Sequence, residues 1–226
     1  MTKAKVKEIF SSIQGEGPIV GYRQIFIRFC DCNLSCRYCD TDFSSKTGYK
    51  EYTATELNEY IRENYDLSKH HSISLTGGEP LLSVDFLEEF LPMLRGDIKI
   101  YLETNATLVK NFERIKGLVD IVGGDIKLKS SSGQDLLNLH KEFFEQAKGL
   151  DTFAKIVFDD SITVSEIEYI TCMAKELDLP IVIQPRMVGD KMSIDSSSCL
   201  EILDRFSNEG VNVRLIPQVH KYLDVC

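Results

Sequence analysis

From residue 24 onward the chain alternates two hydrophobic rhythms. Short runs repeat apolar residues every second position, and longer runs repeat them every third or fourth, which are the periods of strands and helices. Gln24–Phe29 (QIFIRF) reads as a strand. Thr53-x-x-Glu56 then forms a capping box, followed by Leu57, Tyr60, Ile61 and Asn64 at helical spacing. Ile73–Leu75 is a strand, and a helix runs from about Val84 to Leu94 with Phe86, Leu87, Phe90 and Leu91 on one side. Pro92 should kink or end that helix, because proline removes a backbone donor. The pattern predicts strands at Ile98–Glu103, Leu118–Val122, Thr152–Phe158, Ile181–Gln184 and Val211–Ile216. Between them it predicts helices at Leu108–Lys116, Gln134–Ala147, Ser165–Leu177 and Ser196–Asn208, the last capped by Gly210.

About six strand–helix units and a closing strand make an α/β protein with a parallel sheet. Polar or glycine-rich signals follow nearly every strand: a cysteine loop, Thr76-Gly77-Gly78-Glu79-Pro80, Glu103-Thr104-Asn105, Gly123-Gly124-Asp125 and Gln184-Pro185-Arg186. An open doubly wound sheet concentrates its ligand at one switch point. Recurrence at many strand ends is the habit of a barrel. The expectation is therefore a partial, splayed (β/α)6 TIM-like barrel of parallel strands, one unit over residues 1–226, with no linker to a second domain.

Composition changes this picture little. The 226 residues are 43% apolar and 27% charged, as in soluble globular proteins, and the net charge of −9 leaves no basic footprint for nucleic acid. No apolar run approaches the roughly 18 residues of a membrane helix. The opening MTKAKVKEIFSSIQGEG lacks the apolar core of a secretion signal. Seven cysteines, an odd number crowded towards positions 30–39, argue against a disulfide framework and for a reducing cytoplasm.

Cys32, Cys36 and Cys39, spaced C-x3-C-x2-C, are the sharpest chemical signal. Three thiolates can hold a [4Fe–4S] cluster and leave one iron open, where a closed cluster takes four. The alternative is a zinc knuckle completed by Cys30, since residues two apart on a strand share a face. TGGEP likewise has two readings: an ordinary strand-to-helix turn, or a backbone bared by glycine for a ligand's approach.

Taken together, C-x3-C-x2-C with Tyr38 before its last cysteine, and GGEP one βα unit later, resemble the radical S-adenosylmethionine superfamily. That resemblance implies a radical SAM barrel in which the methionyl amine and carboxylate chelate the open iron. Reductive cleavage of the sulfonium then yields a 5′-deoxyadenosyl radical. Phe10-Ser-Ser-Ile-Gln-Gly-Glu-Gly-Pro18, Ile25-Phe-Ile-Arg28, Cys39-Asp40-Thr41 and His220-Lys-Tyr-Leu further resemble the 7-carboxy-7-deazaguanine synthase family, from about Glu8 to Cys226. This implies a lyase that turns 6-carboxy-5,6,7,8-tetrahydropterin into 7-carboxy-7-deazaguanine with loss of ammonia, on the route to queuosine.

The resemblance also implies site residues. Ile13, Gln14 and Gly15 would meet the pterin, largely through backbone groups. Arg28 would grip its carboxylate with a planar fork of donors, and Thr76 would be a further substrate contact. Thr41 would ligate a Mg²⁺ ion that touches the substrate. Tyr38, Cys39, Asp40, Gly78, Glu79, Asp125, Ile126, Lys127, Gln184, Pro185, Arg186 and Met187 fall on cofactor-binding stretches. His220 would neighbour the substrate, as would the terminal carboxylate of Cys226, whose rival reading is a frayed end. Glu16 or His220 would assist the final proton loss. An electron donor such as flavodoxin or ferredoxin, and a homodimer, are implied as well.

The chain departs from the family at three points. Asp125-Ile126-Lys127 stands where many relatives have Ser-Pro-Lys, Ala106 where a glycine often follows Glu-Thr-Asn, and Cys30 matches no family role. Two rival functions remain in play: a glycyl-radical enzyme activase within the superfamily, and a non-enzymatic zinc-binding structural domain.

Overall fold

A computed structural model describes residues 2–36, 39, 44–46, 48–189, 191–223 and 225. The strands are β1 (Lys3–Ile13), β2 (Arg23–Phe29) and β3 (Lys50–Thr53), then helix α1 (Ala54–Asn64), β4 (Ser72–Gly77), α2 (Val84–Phe90), β5 (Lys99–Thr104) and α3 (Val109–Ile115). The chain continues through β6 (Ile121–Ile126), α4 (Lys129–Ser132), α5 (Leu137–Gln146), β7 (Asp151–Phe158), α6 (Val164–Leu177) and β8 (Ile181–Pro185). It ends with the small β9 (Met187–Val188) and β10 (Lys191–Met192), then α7 (Ser196–Ser207), β11 (Val213–Leu215) and α8 (Val219–Leu223).

Among the described residues, nine strands form one sheet in the order β11-β8-β7-β6-β5-β4-β2-β1-β3. From β2 to β11 every pairing is parallel. The expected α/β partial barrel is present, open between β11 and β3. The antiparallel extension was not foreseen: β1 pairs β2 and then β3, with a register shift between Val6 and Glu8. Lys3–Ile13 alternates lysines with apolar residues and carries a period of two in its first half. Its second half breaks that rhythm, with Ile9 beside Phe10 and Ser11 beside Ser12.

Helix ends follow local chemistry. Thr53 and Glu56 make the expected reciprocal capping box at α1, and Thr163 with Glu166 makes a second at α6. α2 stops at Phe90 and tightens into a 3₁₀ turn over Leu91–Leu94, as Pro92 requires. Gly210, with φ +79°, lies two residues past the α7 cap Asn208.

The period of two decides which residues face the interior of the half-barrel. Ile25, Ile27 and Phe29 of β2, Ile73 and Leu75 of β4, and Ile100 and Leu102 of β5 join the main core beneath the helices. Their alternates Phe26, Arg28, Thr76, Tyr101 and Glu103 line the concave side. Tyr101, Ile121, Phe153 and Val182 form a small apolar cluster on that side.

One correction concerns Gly123-Gly124-Asp125, read from sequence as a glycine-rich signal following the strand Leu118–Val122. It lies inside β6. A Cβ at Gly123 would meet Tyr101 Oη at 2.6 Å, and one at Gly124 would meet Phe144 Cζ at 2.5 Å. Rings press on both faces of the strand, so the glycines serve packing rather than a turn.

Candidate active site

The C-terminal ends of the parallel strands open into a cavity of about 620 Å³, within the range of small-molecule sites. It has two ends of different chemistry.

At one end stand Cys32, Cys36 and Cys39, all of which line the cavity; Cys30 is buried and does not. Burial raises the Cys32 and Cys36 thiols above their ordinary range, and Lys127 pulls Cys36 back. The loop that carries them leaves β2 and is laced to TGGEP through the backbone. Gly78 N–H donates to Phe29 O at 3.0 Å, and Glu79 N–H to Asp31 O at 2.8 Å. A Cβ on Gly78 would lie 1.8 Å from Asp31 O, and one on Gly77, at φ +115°, 2.3 Å from Phe29 O. The close approach these glycines permit is therefore first that of the cysteine loop itself.

Glu79 is fully buried and does not line the cavity. Its carboxylate accepts from Leu81 N–H at 3.0 Å, Thr104 Oγ1 at 2.8 Å and Asn105 N–H at 2.8 Å. Burial nevertheless pushes it up to about 7. The turn it holds continues into Ala106, fully buried at φ +54°, a conformation glycine adopts more readily than alanine. His140 fastens this turn. Nδ1 lies 3.2 Å from Ala106 O, while Nε2 accepts from Lys127 N–H at 3.0 Å, and burial lowers the imidazole to about 4.

The other end is charged. Lys155 on β7 pairs with Glu16, and with Asp125 at 3.4 Å. Asp125 also pairs with Lys127 at 2.8 Å. Gln218 Nε2 donates to Glu16 Oε1 at 2.7 Å. Burial would raise the Glu16 carboxyl, but Lys155 and Gln218 outweigh it and hold it at about 2. Glu103 accepts from Gln14 Nε2 at 2.7 Å and Thr76 Oγ1 at 3.0 Å. Burial raises its carboxyl, with Lys155 opposing. Gln14 is also bound to Gln24 Oε1 at 2.9 Å and to Glu16 N–H at 3.0 Å, so its amide is spent on structure. Arg28 pairs with Glu8 and lies 5.2 Å from the centre of the Phe10 ring.

The C-terminal α8 closes this end. Val219 N–H donates to Gly15 O at 2.9 Å, and a Cβ on Gly15 would stand 2.3 Å from His220 Nδ1. Gly15 is thus what lets His220 into the cavity.

Of the residues singled out from sequence, the cavity gathers Ile13, Gln14, Gly15, Glu16, Arg28, Cys32, Cys36, Cys39, Thr76, Gly78, Asp125, Lys127, Gln184, Arg186, Met187 and His220. It does not gather Glu79, Ile126 or Pro185. Ile126 sits in the main core and Pro185 is buried away from the cavity. Alternation explains both, since consecutive strand residues cannot face one ligand. Tyr38, Asp40, Thr41 and Cys226 lie outside the described residues. Sequence reading missed Lys155, Glu103, Asn105 and Gln218 as lining residues. A signal for Lys155 was there: a lone cation in the apolar strand FAKIV, at the parity of Phe153.

Two buried acceptors on the concave face, Asp125 Oδ1 and Gln184 Oε1, have no hydrogen-bond partner among the described residues. With three thiols on one loop, they fit a cluster and a bound polar cofactor. Among the described residues no helix is long and apolar enough to cross a membrane.

Comparison with known proteins agrees. The family model described as the radical SAM superfamily matches residues 26–167. A 7-carboxy-7-deazaguanine synthase of Geobacter sulfurreducens is 36% identical over 97% of this chain and 97% of its own length. That of Methanothermobacter thermautotrophicus is 35% identical over 99% and 98%. Among solved structures, QueE from Escherichia coli is similar in fold, with a TM-score of 0.66 at 20% identity, covering 96% of this chain and 95% of that one.

Proposed function

Because this chain belongs to the radical SAM superfamily and, within it, to the 7-carboxy-7-deazaguanine synthase family, we propose that its cavity converts 6-carboxy-5,6,7,8-tetrahydropterin to 7-carboxy-7-deazaguanine with loss of ammonia. The observation that carries this reading is the two-ended cavity, with three thiols at one end and a preorganised set of buried charges at the other. When bound, a [4Fe–4S] cluster and S-adenosylmethionine supply the radical chemistry; Cys32, Cys36 and Cys39 would hold the cluster. Gly78, Asp125 and Gln184 would receive the cofactor's polar groups.

The chain's own residues orient the substrate. Arg28, poised between Glu8 and the Phe10 ring, offers donors to the pterin carboxylate. Glu103, buried beside Thr76, faces the cavity as an acceptor suited to the pterin's N–H edge. Glu16, held ionised by Lys155, is a weak base near neutral pH, so His220 is the better group for the final proton loss. Mg²⁺ at Thr41, the terminal carboxylate of Cys226 on the substrate, a homodimer and a flavodoxin- or ferredoxin-type donor complete the reading, each supported by family resemblance.

The test is one anaerobic incubation with dithionite, S-adenosylmethionine and 6-carboxytetrahydropterin, read by mass spectrometry. The deazaguanine is expected. 5′-Deoxyadenosine accumulating without it would sink the substrate assignment. Arg28→Met should raise KM roughly 10- to 100-fold, the worth of a charged hydrogen bond.

A further inference from the structure

Among the described residues, Cys32 Sγ accepts two N–H contacts. One comes from its own loop, Leu34 N–H at 3.4 Å. The other comes from the turn after β5, Asn105 Nδ2 at 3.7 Å. Asn105 is 94% buried, and its orientation is fixed by its surroundings rather than chosen by the sulfur. Its Oδ1 accepts from Thr107 N–H at 3.2 Å and from the Thr107 hydroxyl. A backbone N–H can only donate, so the oxygen must face Thr107 and the NH₂ must face Cys32. The NH₂ also donates to Asn33 Oδ1 at 2.8 Å, and Asn33 Nδ2 donates in turn to Thr107 Oγ1 at 2.9 Å. The backbone of Asn105 is held by the Glu79 carboxylate at 2.8 Å, and the next carbonyl by His140. The side chain is thus locked from three sides with one donor hydrogen aimed at a ligand sulfur.

We propose that Asn105 is a positioning residue for the cluster, its side-chain amide donating an N–H···S hydrogen bond to Cys32 that raises the cluster's reduction potential, with Glu79 holding the turn that carries it. This rests on the reading that Cys32, Cys36 and Cys39 hold a [4Fe–4S] cluster. The step concerned is uptake of one electron by the oxidised cluster from an external one-electron reductant, with no bond made or broken in the protein. The added electron increases negative charge on the ligand sulfurs. A hydrogen-bond donor there stabilises the reduced form more than the oxidised one. Neither contact involves Arg28 or Lys155, so the effect is separable from substrate binding.

The experiment is an anaerobic redox titration of the reconstituted holoenzyme, without substrate, followed by the electron paramagnetic resonance signal of the reduced cluster. Asn105→Leu removes the donor at similar volume and should shift the midpoint potential to more negative values with iron content unchanged. Asn105→Asp keeps the shape, replaces the donor by an acceptor, and should shift it further in the same direction. If the leucine variant fails to take up iron, the aspartate variant decides. A wild-type potential in an iron-replete variant would overturn the proposal while leaving the cluster reading intact. Wild-type protein that forms no iron–sulfur chromophore would overturn both.

Discussion

The two ends of the cavity are built by opposite means. Around the cysteine loop, the structure relies mainly on neutral donors and backbone, and the charge that reaches Cys36 is the mutually paired Lys127 and Asp125. Gly78 and Glu79 N–H groups reach into the loop, Asn105 and Asn33 bridge it, and the Glu79 carboxyl sits near neutrality at about 7. At the far end the groups are ionised and paired: Lys155 between Glu16 and Asp125, with Glu16 at about 2. A binding site for an anionic cluster gains from few fixed negative charges nearby. A site for a polar, carboxylated heterocycle gains from charges already in place, because the protein need not reorganise them during reaction. The shared scaffold is the sheet, whose alternate residues feed both ends.

The sharpest way to break this contrast is to remove the central cation. Lys155→Met would leave Glu16 buried without its lysine counter-charge and Asp125 with Lys127 alone. Uncompensated buried charges of this kind cost about 3–5 kcal/mol. Chemical denaturation of the cluster-free protein should show that loss, and an effect below about 1 kcal/mol would mean the pairs are solvated in solution.

Acid should act on the two ends in opposite directions. Glu16 is depressed from 4.5 to about 2, so its contribution is present above pH 4.5 and is lost as pH falls through 2. The shift corresponds to about 3 kcal/mol. Glu79 is raised from 4.5 to about 7, so the folded state keeps a proton that the unfolded chain releases. Its contribution is present below pH 4.5 and is lost as pH rises to 7, again by about 3 kcal/mol. Stability against pH should therefore flatten between 2 and 4.5 in Glu16→Gln, and between 4.5 and 7 in Glu79→Gln. Both variants flattening in the same window would refute the division.

The sequence made the cysteine end legible and the charged end largely not, for a physical reason. Cys32, Cys36, Cys39, Gly77 and Gly78 are local: they lie within one loop and one turn, so the contiguous motifs that carry the family resemblance are visible before any folding. Lys155 and Glu16 are 139 residues apart, and Gln218 and Glu16 are 202 apart, so only the sheet brings them together. Glu103 was visible as a polar interruption, and its place on the floor followed only from strand parity. Parity also removed Ile126 and Pro185, which contiguous motif matching had included. β1 escaped because its second half does not alternate in sequence: Ile9 packs on the core while the adjacent Phe10 faces the cavity with Glu8.

The smallest expected effect tests the boundary between the two ends and has opposite signs in two measurements. Gln184 is 1% exposed, on β8, and its Oε1 finds no partner among the described residues. A buried unpaired carbonyl costs free energy, so Gln184→Leu should leave the cluster-free protein as stable as before, or more stable by up to about 1 kcal/mol. If that oxygen is kept for a cofactor N–H or hydroxyl, the same substitution should weaken S-adenosylmethionine binding to the holoenzyme. A lost neutral hydrogen bond of about 1 kcal/mol corresponds to roughly a fivefold rise in Kd. Calorimetric titration measures the second effect and denaturation the first. A variant destabilised without loss of affinity would make Gln184 a structural residue, and the polar cradle between the cysteine end and the charged end would shrink to Asp125.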